Sequence, residues 1–469
     1  MNLSTEPKQW SNIGFLERHF KLAERKTNPK TEILAGLTTF LTCVYIVAVN
    51  PAILSNAGMD PKAVFWATAL IAGLGSIGMG LYANFPYALA PAMGLNAYFA
   101  FYVVGVMKLS WQNALGCVLI SGLAFLIMSL FKIREKIVNA MPDCVKYSVG
   151  AGIGFFIAFV GLTQAGIIVS SKDTVLQMGD LGNPGAILAL LGIALTAILV
   201  VKNIRGAILI GILAVTVAGF FVTNPATGMA FTQLPHGGIG GLISFDNPVK
   251  ALAPTFGQLS FHGLFGHFNS ALIGIFFVIF GFLFVDLFDG VAVLIGVSAK
   301  AGFLNEKGEL PNAGKALLVD ACSTTLGAFL GTSTVVVYGA ESSTGVAEGG
   351  RTGLVAVVVG VLFLLSLVFS PLFLMIPSVA TAPALVMVGV FMMEPLKNVK
   401  LDEITVALPV FLAIAFMPFT YNIAMGIIFA VLGYTLVTIA AGKRKEITPM
   451  VWGLSAIFLI YIISQALHL

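Results

Sequence analysis

The chain has 469 residues, 58% of them hydrophobic and only 10% charged, with a mean hydropathy of +0.98 and a formal net charge of +4. Soluble domains carry about 25% charged residues, so this composition excludes a soluble enzyme and indicates an all-α polytopic membrane protein. The small positive balance comes from loop lysines and arginines and gives no reason to expect a nucleic-acid partner.

Residues 1–35 read as a polar N-terminal arm, without the apolar core of a cleavable leader. Apolar segments follow at about 36–53, 63–83, 86–106, 111–131, 148–169, 185–201 and 205–223. A polar loop rich in Gly and Pro fills 224–268. The second set lies at about 270–297, 315–330, 332–346, 353–371, 378–393, 404–418 and 421–441. The tail, 442–469, holds the basic run Lys443-Arg444-Lys445 and an apolar stretch at 450–467 that is a candidate additional span. With the N-terminus placed in the cytoplasm, alternation leaves only Lys62, Lys108, Lys172 and Lys250 of the 25 lysines and arginines outside. That bias supports the orientation and about 14 transmembrane segments.

Two sets of seven, 36–223 and 269–441, enter the membrane from opposite sides, so a repeat relating them is inverted. Both third segments are interrupted. The first reads PYALAPAMGLNAYFA over Pro86–Ala100; the second reads GTSTVVVYGAESSTGVAEGGRTG over Gly331–Gly353. Glycines there disfavour a continuous helix, and the run Ser333–Tyr338 prefers extended backbone. Broken backbone at membrane depth is tolerated where it is buried in protein or lines a cavity. Paired interruptions at corresponding positions point to a midplane binding site.

Four acidic residues fall in or beside apolar segments: Asp286 and Asp289 in FVDLFDG, Asp320 in LLVDACS, and Glu341. No Lys, Arg or His lies inside a span to pair with them, and intramembrane acids are functional candidates by default. A carboxylate accepts hydrogen bonds from a neutral, N–H-rich ligand, and it also binds and releases protons. Asp286 and Asp289, three apart, share a helix face. Asp320 opens its segment and caps it or bonds backbone amides. Asn96 follows the Pro91–Gly94 break and either bonds a heterocycle or satisfies freed backbone groups, Gly94 is expected to allow close ligand approach or a positive φ, and Glu348 with Arg351 is expected to form a loop ion pair or a cap. Cys43, Cys117, Cys144 and Cys322 have no paired spacing and read as buried thiols, so neither a disulfide nor a metal site is expected. No cofactor is expected either, and there is no G-x-x-x-x-G-K motif for an ATP-driven pump.

Several stretches resemble the AzgA-like purine permeases of the nucleobase–cation symporter family two, in the xanthine/uracil permease superfamily. They are Gly36–Leu54, Ala88–Phe101, Phe284–Asp289, Gly331–Gly353 and Ser370–Gly389. The resemblance covers nearly the whole chain. It implies a seven-plus-seven inverted repeat similar to the uracil transporter, short antiparallel strands in segments 3 and 10, and core and gate subdomains that move against each other. It implies proton symport of purine nucleobases (hypoxanthine, guanine, adenine class) across the plasma membrane, with a homodimer plausible. Carried over by position, it implicates Gly94, Asn96, Asp286, Asp289 and Glu341 in substrate binding. Thr38, Thr39 and Asn50 are weaker candidates for substrate binding; Asp286, Asp289, Asp320 and Glu341 are the proton-coupling candidates. One departure is Gly290-Val291-Ala292 after DLFD, where relatives place a small hydroxyl residue and then a GTL triplet, which leaves sodium coupling open. An anion transporter or exchanger on the same architecture is the alternative, disfavoured because the candidate site is acidic.

Overall fold

The computed structural model describes residues 14–131, 137, 140–235, 238–262, 264, 270–305 and 310–466; the side chain of Asp289 lies outside the described ones. Among the described residues, eight helices are long and apolar enough to cross a membrane, including Trp111–Leu130, Asp143–Gln164 and Ile423–Ala440. Shorter apolar helices, such as Ala207–Ala218 and Ile404–Phe419, pack among them. Large apolar side chains on the outer faces, such as Phe411 at 65% and Leu436 at 67% exposed, suit lipid rather than water.

Local sequence sets many helix starts. Asn28-Pro29, Asp60-Pro61, Asn183-Pro184 and Asn247-Pro248 each place a capping carbonyl or carboxylate before a proline at the first helical position. Asp60 Oδ1 accepts from Ala63 N at 2.7 Å, a contact of the kind worth about 1 kcal/mol. The proline loses nothing there, since its missing N–H would have had no partner in the helix. Close helix crossings use paired glycines. A Cβ on Gly154 would lie 2.6 Å from the Gly389 carbonyl, which brings Asp143–Gln164 against Ser378–Met392.

The first segment is a pair of helices, Pro29–Cys43 and Ile46–Leu54, broken at Val44–Tyr45. The arm is strapped to the body. Phe20 and Leu22 are each 2% exposed, packing with Leu354, and the Arg25 guanidinium lies 4.6 Å from the Phe303 ring centroid. Buried Glu32 accepts from Arg351 N (2.8 Å), Thr352 N (3.1 Å) and Thr352 Oγ1 (2.7 Å).

Several expectations are corrected. Asp320 does not open a helix: Ala313–Leu330 begins after Asn312, whose φ of 63° turns the chain in, and Asp320 sits buried in its interior. Glu348 pairs with Arg205 at 2.5 Å rather than with Arg351, whose guanidinium donates to the Val346 and Gly350 carbonyls. A hairpin, Ile168–Ser171 with Val175–Met178, occupies what read as the end of a span and a loop. The 450–467 stretch forms the helix Pro449–Ala466.

Candidate functional site

The two interrupted stretches meet. Strand Leu89–Pro91 pairs antiparallel with Val335–Val337, in the register Leu89↔Val337, Ala90↔Val336 and Pro91↔Val335. All six residues are buried. The pairing extends through Ala92 N to the Thr334 carbonyl and Tyr338 N to the Ala88 carbonyl, both 2.9 Å. A two-stranded ladder buried in protein still has outer edges whose polar groups need partners. Side chains supply them. Ser76 Oγ accepts from Leu89 N (3.0 Å), Ser342 Oγ accepts from Ala88 N (3.0 Å), and Thr324 Oγ1 both accepts from Val335 N (3.1 Å) and donates to Val335 O (2.9 Å).

A helix leaves each strand. Met93–Ala97 follows the first, and Gly339–Ala347 follows the second. Because the strands are antiparallel, the two helices start at opposite ends of the ladder, roughly 10 Å apart for three residues of strand. Glu341 stands in the first turn of Gly339–Ala347, where a negative side chain interacts favourably with the helix dipole by about 0.3–1 kcal/mol. It is 8% exposed, and Tyr45 Oη donates to its Oε1 at 2.7 Å. Nothing bulky follows it: Ser342, Ser343, Thr344 and Gly345 complete the turn.

Asn96 is fully buried; its Oδ1 accepts a short hydrogen bond from Ser333 Oγ, and its Nδ2 has no hydrogen-bond partner. A buried amide donor left unpaired costs about 1–3 kcal/mol, so this group is suited to a ligand acceptor. Asp286 lies buried on the Ser270–Ala301 helix and touches the strand framework through Thr324 Oγ1 at 3.5 Å. Asp289 is three residues on along the same helix, its side chain outside the described ones.

One of the two expectations for Gly94 is not met. Its φ is not positive, and a Cβ there would come 2.5 Å from Ile153 Cγ2. The glycine lets the third segment pack against Asp143–Gln164. Gly339, by contrast, would place a Cβ 2.5 Å from Val293 Cγ1 on the helix that carries Asp286. Asn50 donates to Thr68 Oγ1 (2.7 Å) and Thr332 Oγ1 (2.8 Å), so it ties the first segment to the residue two before Thr334. Thr39 Oγ1 lies where a Gly345 Cβ would sit, and Thr38 is buried on the same helix.

Sequence reasoning missed Tyr45, Ser342 and Thr324. The available signal was a lone phenol in an apolar run, since a buried tyrosine hydroxyl usually finds a partner. The structure thus joins the first, third and tenth segments around Glu341 and Asn96, with Asp286 behind the strand; Asp320 lies on the helix that leads into the second strand.

The pattern described as the Permease family, that of the xanthine/uracil permeases, matches residues 30–429. The chain is 43% identical over 450 residues to the adenine permease AdeQ of Escherichia coli, covering 96% of each chain. It is 43% identical over 457 residues to the guanine/hypoxanthine permease PbuG of Bacillus subtilis, covering 96% of this chain and 99% of that one. Its fold is similar to the transmembrane domain of the cyanobacterial bicarbonate transporter BicA, with TM-score 0.62, 17% identity and coverage of 88% and 98%. The family pattern and the end-to-end relatives show that this chain belongs to the xanthine/uracil permease family.

Proposed function

We propose that this chain is a secondary active transporter of the plasma membrane that imports purine nucleobases of the adenine, guanine and hypoxanthine class by proton symport. The observation that carries the reading is Glu341, a buried carboxylate in the first turn of a helix that begins at a broken segment, oriented by Tyr45. A neutral purine presents in-plane N–H donors to a carboxylate, and where two are adjacent, as N1–H and the amino group of guanine are, both oxygens accept, at roughly twice the strength of neutral hydrogen bonds. Asn96 Nδ2 offers a donor to a ring nitrogen or carbonyl. The names of two relatives, adenine permease and guanine/hypoxanthine permease, support this substrate class.

In this reading Gly94, Asn96, Asp286, Asp289 and Glu341 form the substrate site, Gly94 through packing. Asp286, Asp289, Asp320 and Glu341 are the groups from which the proton carrier is drawn. About 14 segments in a seven-plus-seven inverted repeat form core and gate subdomains, the N-terminus is cytoplasmic, and the core moves in an elevator-like cycle, in a homodimer. The likeness to a bicarbonate transporter raises an anion as substrate, but carboxylates rather than Lys or Arg stand at the strand pair, which favours neutral, N–H-bearing ligands.

The test is uptake of labelled adenine, guanine and hypoxanthine by cells lacking their own purine permeases. Unlabelled purines are expected to compete, and sulfate and bicarbonate are not. An uncoupler at constant sodium is expected to abolish concentrative uptake. Uptake that survives the uncoupler and collapses on sodium removal replaces the proton with sodium.

A further inference from the structure

A crevice of about 430 Å³ lies on the other side of the helix that carries Asn50. Its walls include Ala48, Pro51, Ala52 and Ser55, together with Gln164 and Ser378. The first four recur at the spacing of one helix face, while Asn50, on the other face of that helix, reaches Thr332. The crevice and the candidate site therefore share one helix as their partition. The volume falls in the range of small-molecule pockets, about 300–1,000 Å³. No charged side chain lines it.

Gln164 is the last residue of the Asp143–Gln164 helix, and neither its Nε2 nor its Oε1 has a hydrogen-bond partner, although both atoms are withdrawn from solvent. An unmade bond at a buried donor or acceptor is costly, and such groups are rare enough in native structures to need an explanation. The polar neighbours on the opposite wall are already engaged with their own helix. Ser55 Oγ donates to the Ala52 carbonyl at 3.1 Å, and Asn56 Nδ2 donates to the Ala52 and Ile53 carbonyls at 2.8 and 3.1 Å.

We propose that this crevice is an entry site that holds the same planar, neutral heterocycles before they reach Glu341, paired through the Gln164 amide, whose side chain turns into the crevice to meet them. The proposal rests on the nucleobase reading above. A carboxamide presents one donor beside one acceptor, which complements a ring N–H next to a carbonyl or ring nitrogen. Glu341 presents acceptors alone and reads a donor-rich edge. The two sites thus read different donor–acceptor patterns. The uncharged lining selects against anions, which would be desolvated there without a counter-charge.

The test is equilibrium binding of labelled adenine, guanine and hypoxanthine to the purified full-length protein. Wild type is expected to show two components, the weaker by tenfold or more. Glu341→Gln is expected to lose the tighter component and keep the weaker. Gln164→Leu is expected to lose the weaker and keep the tighter, which also reports that the central site is folded. Ser378→Phe fills the crevice from another wall and is expected to match Gln164→Leu, so the outcome does not hang on one variant. A single component, lost in Glu341→Gln and unmoved by both crevice variants, overturns the entry site and leaves the purine reading standing. Absence of binding of all three bases to wild type overturns that reading, and the entry site with it.

Discussion

Tyr45 Oη donates a 2.7 Å hydrogen bond to Glu341 Oε1 across 296 residues of chain. The break between Pro29–Cys43 and Ile46–Leu54 places the phenol at a helix start, and the strand pair places the carboxylate at another. Bonds to charged groups contribute about 1.5–3 kcal/mol. Tyr45→Phe keeps the ring and removes the donor, so base binding is expected to weaken about tenfold or more at unchanged membrane abundance. In the Glu341→Gln background the same change is expected to cost less, because the pair acts as a unit. Wild-type affinity in Tyr45→Phe would remove this residue from the orienting role.

Gly94 offers a second test, of packing rather than chemistry. A Cβ at this position meets Ile153 Cγ2 at 2.5 Å, closer than real side chains approach. Overpacking of this kind costs about 1–3 kcal/mol. Gly94→Val is expected to reduce transport sharply, and Gly94→Ala to reduce it less. Ile153→Ala is expected to restore part of the activity of Gly94→Ala by giving the new methyl room. If uptake assays show no rescue, the requirement for glycine lies at the ligand.

Both interruptions were legible, one from β-branched residues between glycines that favour extended backbone, the other from two prolines and a glycine; their pairing as antiparallel strands was implied by the family resemblance alone. The partner of each polar side chain was not legible. Glu348 lies three residues from Arg351 and was expected to bond with it, yet it meets Arg205, 143 positions earlier, because helix packing rather than sequence distance decides which surface charges meet. Asp320 was misplaced for a local reason: the helix starts at Asn312, in a left-handed conformation that asparagine tolerates, ahead of the apolar run that was read as its start. The hairpin at Ile168–Met178 carried a signal, β-branched residues on both sides of Ser171-Lys172-Asp173-Thr174, but the apolar run before it merged with the preceding span. Gly94 stood out as a break in its segment, while its close contact with Ile153 on a separate helix needed the tertiary structure.

Asp246, in a loop outside the spans, has its Oδ1 2.8 Å from the Nζ of Lys62 and ties that loop to the start of the Pro61–Gly78 helix. Burial works to raise the Asp246 carboxyl, but Lys62 and the Ser244 and Ser370 hydroxyls outweigh it and hold the carboxyl below its usual range. A carboxyl lowered on folding stabilises the protein above its unfolded pKa and loses that contribution as pH falls through the folded value. The pair is partly exposed, so the effect is at most about 1 kcal/mol and is screened by salt. Asp246→Asn is expected to melt slightly below wild type at about pH 6, with the gap closing as pH falls below about 4, the ordinary carboxylate range. A gap independent of both pH and salt in thermal unfolding would show that the ion pair contributes nothing.

Glu341 is where the proposed chemistry is most exposed to test. Glutamine has nearly the shape of glutamate but presents one acceptor and one donor in place of two acceptors. Tyr45 Oη can still donate to the amide oxygen, so the local fold survives, and a neutral amide costs less to bury than a carboxylate. The ligand, however, meets an N–H where it needs an acceptor. Glu341→Gln is therefore expected to reach the membrane at normal abundance and to lose tight base binding by about 1.5–3 kcal/mol, a factor of roughly 10–150. Glu341→Asp keeps both acceptors at a shorter reach and is expected to retain partial function. Binding of labelled bases to the purified variants, read beside their membrane abundance, separates the outcomes. Wild-type affinity in the glutamine variant would move the acceptor role to the Ser270–Ala301 helix, where Asp286 lies buried behind the same strand, two hydrogen bonds away through Thr324.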